Sequence, residues 1–226
     1  MKTASELSDL NMQRRSFLRY AGAGIAGVGL LAVGASCHKD HNVQPSSGPI
    51  DVGSGDAGIL NYAYALEQLE AAFYTQVIAT PYSGITVSEQ TNLTAIRDHE
   101  VCHREFFKAA LGTGAIQALT PDFSSIDFTN RTAVLTAAKT FEDLGVTAYD
   151  GVAYKIVTAA YLGIAGSIVS VEARHAAYIR NLLQFGNFAG SDQVSVVTGL
   201  NISNTPQTVV AAANTYLKTK ISVNSL

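Results

Sequence analysis

Two short strings in this chain place a carboxylate and an imidazole three residues apart: Glu100-Val101-Cys102-His103 and Glu172-Ala173-Arg174-His175. On an α-helix, residues i and i+3 are neighbours on one face, so each pair can reach the same metal ion. A mixed set of carboxylate and imidazole donors suits iron or manganese. Eight Glu and five His scattered at random over 226 residues would give well under one such string, and this chain has two.

A second pair of segments repeats in step with the first. Leu66-Glu67-Gln68-Leu69-Glu70-Ala71-Ala72-Phe73-Tyr74 and Phe141-Glu142-Asp143-Leu144-Gly145-Val146-Thr147-Ala148-Tyr149 share the pattern apolar-Glu-x-Leu-x-x-x-x-Tyr. The chain therefore reads as two helical hairpins, each supplying a Glu and then a Glu-x-x-His, a weak internal repeat. The alignment pairs Glu67 with Glu142 and Glu70 with Gly145. Glu67 is accordingly taken as a ligand, with Glu70 as a supporting or alternative one. The expected metal ligands are Glu67, Glu100, His103, Glu142, Glu172 and His175.

Charge supports this set. An unpaired carboxylate inside a bundle is costly and normally takes up a proton. Four carboxylates balance two divalent cations, and neutral imidazoles complete the site. In this reading Glu100 and Glu172 bridge two Fe or Mn ions. Glu67 and Glu142 bind one ion each from the sides, and His103 and His175 cap them. Tyr74 and Tyr149 are expected as core aromatics with one polar tip; the alternative is a hydrogen bond to the site or a radical relay. Cys102 is expected as a buried thiol. Arg174 can pair with a ligand carboxylate or with another acid.

Four long helices must carry these residues. Three- and four-residue spacing predicts helices over 57–79, 88–111, 130–150 and from near Tyr154 to about Phe185. Ser88 is the expected N-cap of the second and Gly112 its stop. Pro206 fits the first turn of a short last helix reaching about Lys218. Residues 112–129, with Gly112, Gly114 and Pro121, read as one long irregular connection. The fold class is all-α: a four-helix bundle with a single long crossover, the ferritin-like connection, and a short C-terminal helix.

The first forty residues read as an address. Arg14-Arg15-Ser16-Phe17-Leu18-Arg19 precedes an uncharged Gly- and Ala-rich run, Tyr20–Ser36, too short and glycine-rich for a good membrane span. The string resembles a twin-arginine export signal. Cys37, after Ala35-Ser36, resembles a lipidation site and offers a possible lipid anchor. The expected division is signal 1–36, linker 37–55 and folded domain 56–226. The expected location is the periplasm or cell envelope. The net charge of −3 leaves no basic face for nucleic acid.

The repeated Glu and Glu-x-x-His segments resemble the ferritin-like superfamily. More closely, Leu66–Tyr74, Phe141–Tyr149 and Val171–Ala177 resemble bacterial ferritin-like domain proteins related to plant desiccation-associated proteins. The resemblance covers about residues 56–220 and implies a di-metal site on the six residues above. It does not specify an activity. The function expected is an exported di-metal protein reacting with O2 or peroxide, with a possible homodimer. The rival is a non-enzymatic envelope stress or desiccation protein whose metal site is structural or unused. A signal and a possible lipid anchor argue against a closed iron-storage shell.

Overall fold

The computed structural model describes residues 48–226, and four long helices dominate it: α1 (Gly55–Ala79), α2 (Val87–Leu111), α3 (Arg131–Val152) and α4 (Ala159–Leu183). A short α5 (Pro206–Ala213) follows. The expected export signal, Cys37 and most of the expected linker lie outside the described residues. The fold is the all-α ferritin-like bundle. Helices α1 and α2 form one hairpin, α3 and α4 the other, and α1 packs against α3. No described helix is long and apolar enough to cross a membrane.

Helix α1 is buried on every side from Gly58 to Ala71 rather than along one stripe. The cover on its outer face is the long crossover between α2 and α3. Two polar side chains of α1 hold that irregular backbone. Asn61 donates to the carbonyls of Gly114 (3.0 Å) and Val52 (3.2 Å) and accepts the Ile116 N–H (2.9 Å). Gln68 accepts the Leu119 N–H at 2.8 Å. Buried backbone groups need partners, and α1 supplies them where the crossover has no ladder of its own.

Helix α2 starts from Thr86, not Ser88. The Thr86 hydroxyl accepts the Glu89 N–H (3.1 Å), and the Glu89 carboxylate accepts the Thr86 N–H (3.0 Å), a capping box. Glu89 also receives Arg131 (2.9 Å from Nε), which ties the start of α2 to the start of α3. Asn130 caps α3 by accepting the Ala133 N–H.

Three boundaries differ from expectation. Helix α4 begins at Ala159 rather than near Tyr154. Residues 153–155 wind as a 3-10 turn, and the Asp56 carboxylate accepts the Val157 and Thr158 N–H groups at 2.9 Å each, acting as the cap from another helix. Helix α5 ends at Ala213, where a 3-10 turn over Asn214–Tyr216 leads to strand β2 (Ile221–Ser222). Strand β2 pairs in parallel with β1 (Ile50–Asp51). Residues 50–55, expected as linker, therefore belong to the fold, and Val52 is only 1% exposed. Two-residue strands carry no periodicity that a sequence can show.

The apolar interior falls into two clusters. The larger contains Leu69, Phe73, Leu93, Ile96, Phe141 and Ile179; the smaller contains Leu60, Ala63, Phe107, Tyr149 and Ile168. On α2 and α4 the expected ligands lie between the members of the two clusters. A polar layer is thus built across the middle of the bundle.

Candidate metal centre

All six expected ligands converge in that layer, and the four carboxylates are fully buried. Two groups of donor atoms form. Glu67, Glu100, His103 and Glu172 make one; Glu100, Glu142, Glu172 and His175 make the other. Glu100 and Glu172 belong to both.

The atoms divide by side. His103 Nδ1 lies 2.9 Å from Glu172 Oε1, 3.4 Å from Glu67 Oε2 and 3.7 Å from Glu100 Oε2. His175 Nδ1 lies 2.8 Å from Glu100 Oε1, 3.4 Å from Glu142 Oε2 and 3.7 Å from Glu172 Oε2. Each shared carboxylate thus turns one oxygen to each group.

These atoms are poor hydrogen-bond partners for one another. Glu67 Oε2, Glu142 Oε2, both oxygens of Glu100 and Glu172, and both imidazole Nδ1 atoms are buried without a well-formed hydrogen bond. Donors held about 2.1 Å from one ion, at about 90–110° to each other, lie about 3.0–3.4 Å apart. The observed separations bracket that range. The chemistry of the donors and their orphaned state both fit a pair of metal ions.

The electrostatics carry the same demand. Burial, with the charge of Glu172 and Glu67 added, pushes Glu100 well above the carboxylate range despite its contacts with both imidazoles. Burial lifts Glu142 to about 7 against the opposing pull of His175. Burial acts the same way on Glu172, but His103 and His175 overcome it and hold it at about 2. Burial alone would lower both histidines; their carboxylate neighbours instead raise His103 far above its usual value and His175 to about 12. The acids keep their charge only where a proton or a cation stands beside them.

The remaining carboxylate oxygens are held by tyrosines. Tyr149 on α3 donates to Glu67 Oε1 on α1, and Tyr74 on α1 donates to Glu142 Oε1 on α3, both at 2.5 Å. The two tyrosines are therefore more than core aromatics: each fixes the carboxylate of the opposite helix and leaves Oε2 to face the centre.

Residues 55–185 match the family described as the ferritin-like domain. The chain belongs to the ferritin-like family. No curated protein matches it. The ferritin-like match covers α1 to α4 and every residue of the centre, while β1, α5 and β2 lie beyond it.

Other positions resolve as follows. Glu70 joins neither donor group, in keeping with the choice of Glu67. Its buried carboxylate occupies the space opposite Gly145, where an added Cβ would stand 3.2 Å from Glu70 Oε1. A side chain at Gly145 would crowd the Glu70 carboxylate. Cys102 is exposed, not buried. Its position between Glu100 and His103 on α2 turns it away from the bundle interior. Arg174 is exposed as well.

One residue was missed. His99 Nδ1 meets His175 Nε2 at 2.9 Å, with ring planes within 9° and centroids 5.2 Å apart, as for rings joined edge to edge. His99-Glu100-Val101-Cys102-His103 also has the form of a helical zinc-protease string. The geometry assigns it differently. His99 joins neither donor group and backs His175 from the solvent side, while Glu100 faces inward.

Proposed function

We propose that this protein is an exported di-metal oxidoreductase whose centre holds two iron or manganese ions and reacts with O2 or peroxide. One observation carries the reading: Glu100 and Glu172 each present one oxygen to each of two donor groups. A single-ion site would need no such division. Bound there, the ions would supply Lewis acidity and one-electron chemistry to an oxygen substrate.

The chain's own part is positioning and exclusion. Glu67 and Glu142 hold the outer sides, their second oxygens anchored by Tyr149 and Tyr74. His103 and His175 close the two ends through Nδ1. The apolar clusters above and below keep water from the acids, which strengthens each charge interaction. The twin-arginine-type string supports export, because that route is thought to carry folded proteins and would let the metal load before transport.

The test is elemental analysis of the mature protein taken from its exported location, followed by mixing with O2 and with peroxide. About two equivalents of iron or manganese and an optical change with either oxidant are expected. Protein without stoichiometric metal, and inert to both oxidants after reconstitution, overturns the reading.

A further inference from the structure

The smaller apolar cluster encloses a narrow cavity, with about 20 Å³ of room for the centre of a water-sized molecule. Its walls include Leu60, Ala63 and Leu66 of α1, Phe107 of α2, Tyr149 of α3 and Ala165 of α4. Almost no polar surface faces it. Among the polar groups of its lining residues, the Tyr149 hydroxyl is engaged by Glu67 and the Asp56 carboxylate by the Val157 and Thr158 N–H groups, while the Tyr62 hydroxyl is buried without a hydrogen-bond partner.

The cavity is placed against the donor layer. Leu66 precedes Glu67, Ala63 lies one turn before it, and Phe107 lies one turn past His103. The Tyr149 ring forms part of the wall while its hydroxyl touches Glu67. Ala165 and Tyr161, both half-buried, bring the opposite wall towards solvent. The Tyr74 side is built otherwise: Phe73 packs edge-on against both Tyr74 and Phe141, at 5.1 and 4.9 Å between ring centres. The pseudo-symmetric halves of the centre thus differ in what adjoins them.

We infer that this cavity is a binding site and entry route for molecular oxygen on the Glu67 side of the centre, an inference that rests on the di-metal reading for its use. Apolar cavities tend to stay dry and admit apolar guests such as xenon. Hydrogen peroxide carries two O–H groups that would meet almost no polar surface there, and burying them unpaired is costly. Oxygen has no hydrogen-bonding demand and is small enough for the space. The shape and chemistry of the cavity therefore favour O2 over peroxide along this path.

The test has two arms on the full-length chain. Metal-free protein is placed under xenon and its methyl resonances are followed by NMR. The Leu60, Ala63, Leu66 and Ala165 methyls are expected to shift, and the shifts of the first three to vanish in Ala165→Phe. Ala165 is half-buried, so the bulkier ring is accommodated at the rim; Ala63→Leu, from the opposite wall, provides a second block. In the second arm, protein loaded with Fe(II) is mixed with each oxidant. Ala165→Phe is expected to slow the reaction with O2 by about tenfold while changing that with peroxide by less than about twofold.

Absence of xenon shifts at these methyls overturns the binding site. Xenon binding with an unchanged O2 rate in both variants overturns the entry route. Equal slowing with both oxidants overturns the preference for O2. If wild-type protein reacts with neither oxidant, the di-metal oxidoreductase reading falls and takes the oxygen route with it. The xenon arm still decides separately whether the cavity binds an apolar guest.

Discussion

The Tyr149 hydroxyl donates to Glu67 Oε1 at 2.5 Å, reaching from α3 to α1 across the bundle. Tyr74 repeats the contact in the reverse direction, from α1 to Glu142 on α3. Each hairpin thus orients an acid of the other. The centre is assembled only when the two hairpins dock, and each tyrosine selects which carboxylate oxygen is left for the donor group.

Removing either hydroxyl should act on one half of the centre. In Tyr149→Phe, the group containing Glu67 and His103 loses the donor that aims its outer acid; in Tyr74→Phe, the group containing Glu142 and His175 does. Loss of a partner that orients a ligand typically costs about 10–100-fold in metal affinity. A Co(II) titration followed optically should show one weakened step in each single variant and two in the double. Uniform weakening of both steps by either variant would show that the tyrosines do not act locally.

His99 should matter to metal binding although it is exposed. It pairs with Nε2 of His175, whose Nδ1 faces Glu100, Glu142 and Glu172. Burial, then the neighbouring charges of His175 and His103, lowers the His99 pKa, which keeps its Nδ1 free to accept a proton donor. His99→Ala should weaken the His175 side by about 10–100-fold, with His99→Gln recovering part of the loss. Isothermal titration with Mn(II) would detect this, and an affinity indistinguishable from wild type would remove His99 from the centre.

How much of this was visible beforehand depends on the range of each interaction. The six converging donor residues were legible because i, i+3 spacing and the repeat at Glu67 and Glu142 are local patterns on single helices. The choice of Glu67 over Glu70 was legible for the same reason, through the Gly145 that stands opposite Glu70. The His99–His175 pair was not, since its partners are 76 residues apart and join only after α2 and α4 pack. The partners of Tyr74 and Tyr149 were hidden likewise: a hydrogen bond to the site was one of the alternatives, but that each binds the acid of the opposite helix shows only once α1 and α3 pack. The all-round burial of α1 also escaped the pattern, because it depends on a crossover with no periodicity. The Thr86–Glu89 capping box is a local pattern too, and it places the N-cap two residues before Ser88.

Glu70 offers a stability test with a definite sign. Burial, and then the carboxylates of Glu100, Glu172, Glu142 and Glu67, raise its pKa well above 4.5. A group whose folded pKa exceeds its unfolded one favours the fold fully below the unfolded pKa, and that support is lost as pH rises. Glu70→Gln removes this dependence while keeping shape. The metal-free variant should therefore melt close to wild type at pH 4.5 and above it at pH 8. A gain of about 1 kcal/mol corresponds to about 2–4 °C for a domain of this size. Melting curves at the two pH values decide it; a difference that shrinks towards pH 8 would show that Glu70 is ionised in the folded centre.

Metal uptake should release protons, and the release should set its pH dependence. The surrounding carboxylates raise His175 to about 12 and His103 far above its usual value, and burial raises Glu142 to about 7. Glu100 is raised as well. All four must deprotonate to act as ligands, so the incoming cations displace protons that the acid cluster otherwise retains. Between pH 6 and 8 the apparent affinity should rise with pH, steeply if two or more protons leave. Calorimetry in buffers of different ionisation enthalpy counts them directly, with about two to four expected on filling the centre. Filling it should also raise the melting temperature, because the ions bind the folded chain preferentially. A proton count near zero, or an affinity flat across this range, would mean that the imidazoles and acids already stand deprotonated before the metal arrives, and the charge balance drawn for the bundle interior would have to be abandoned.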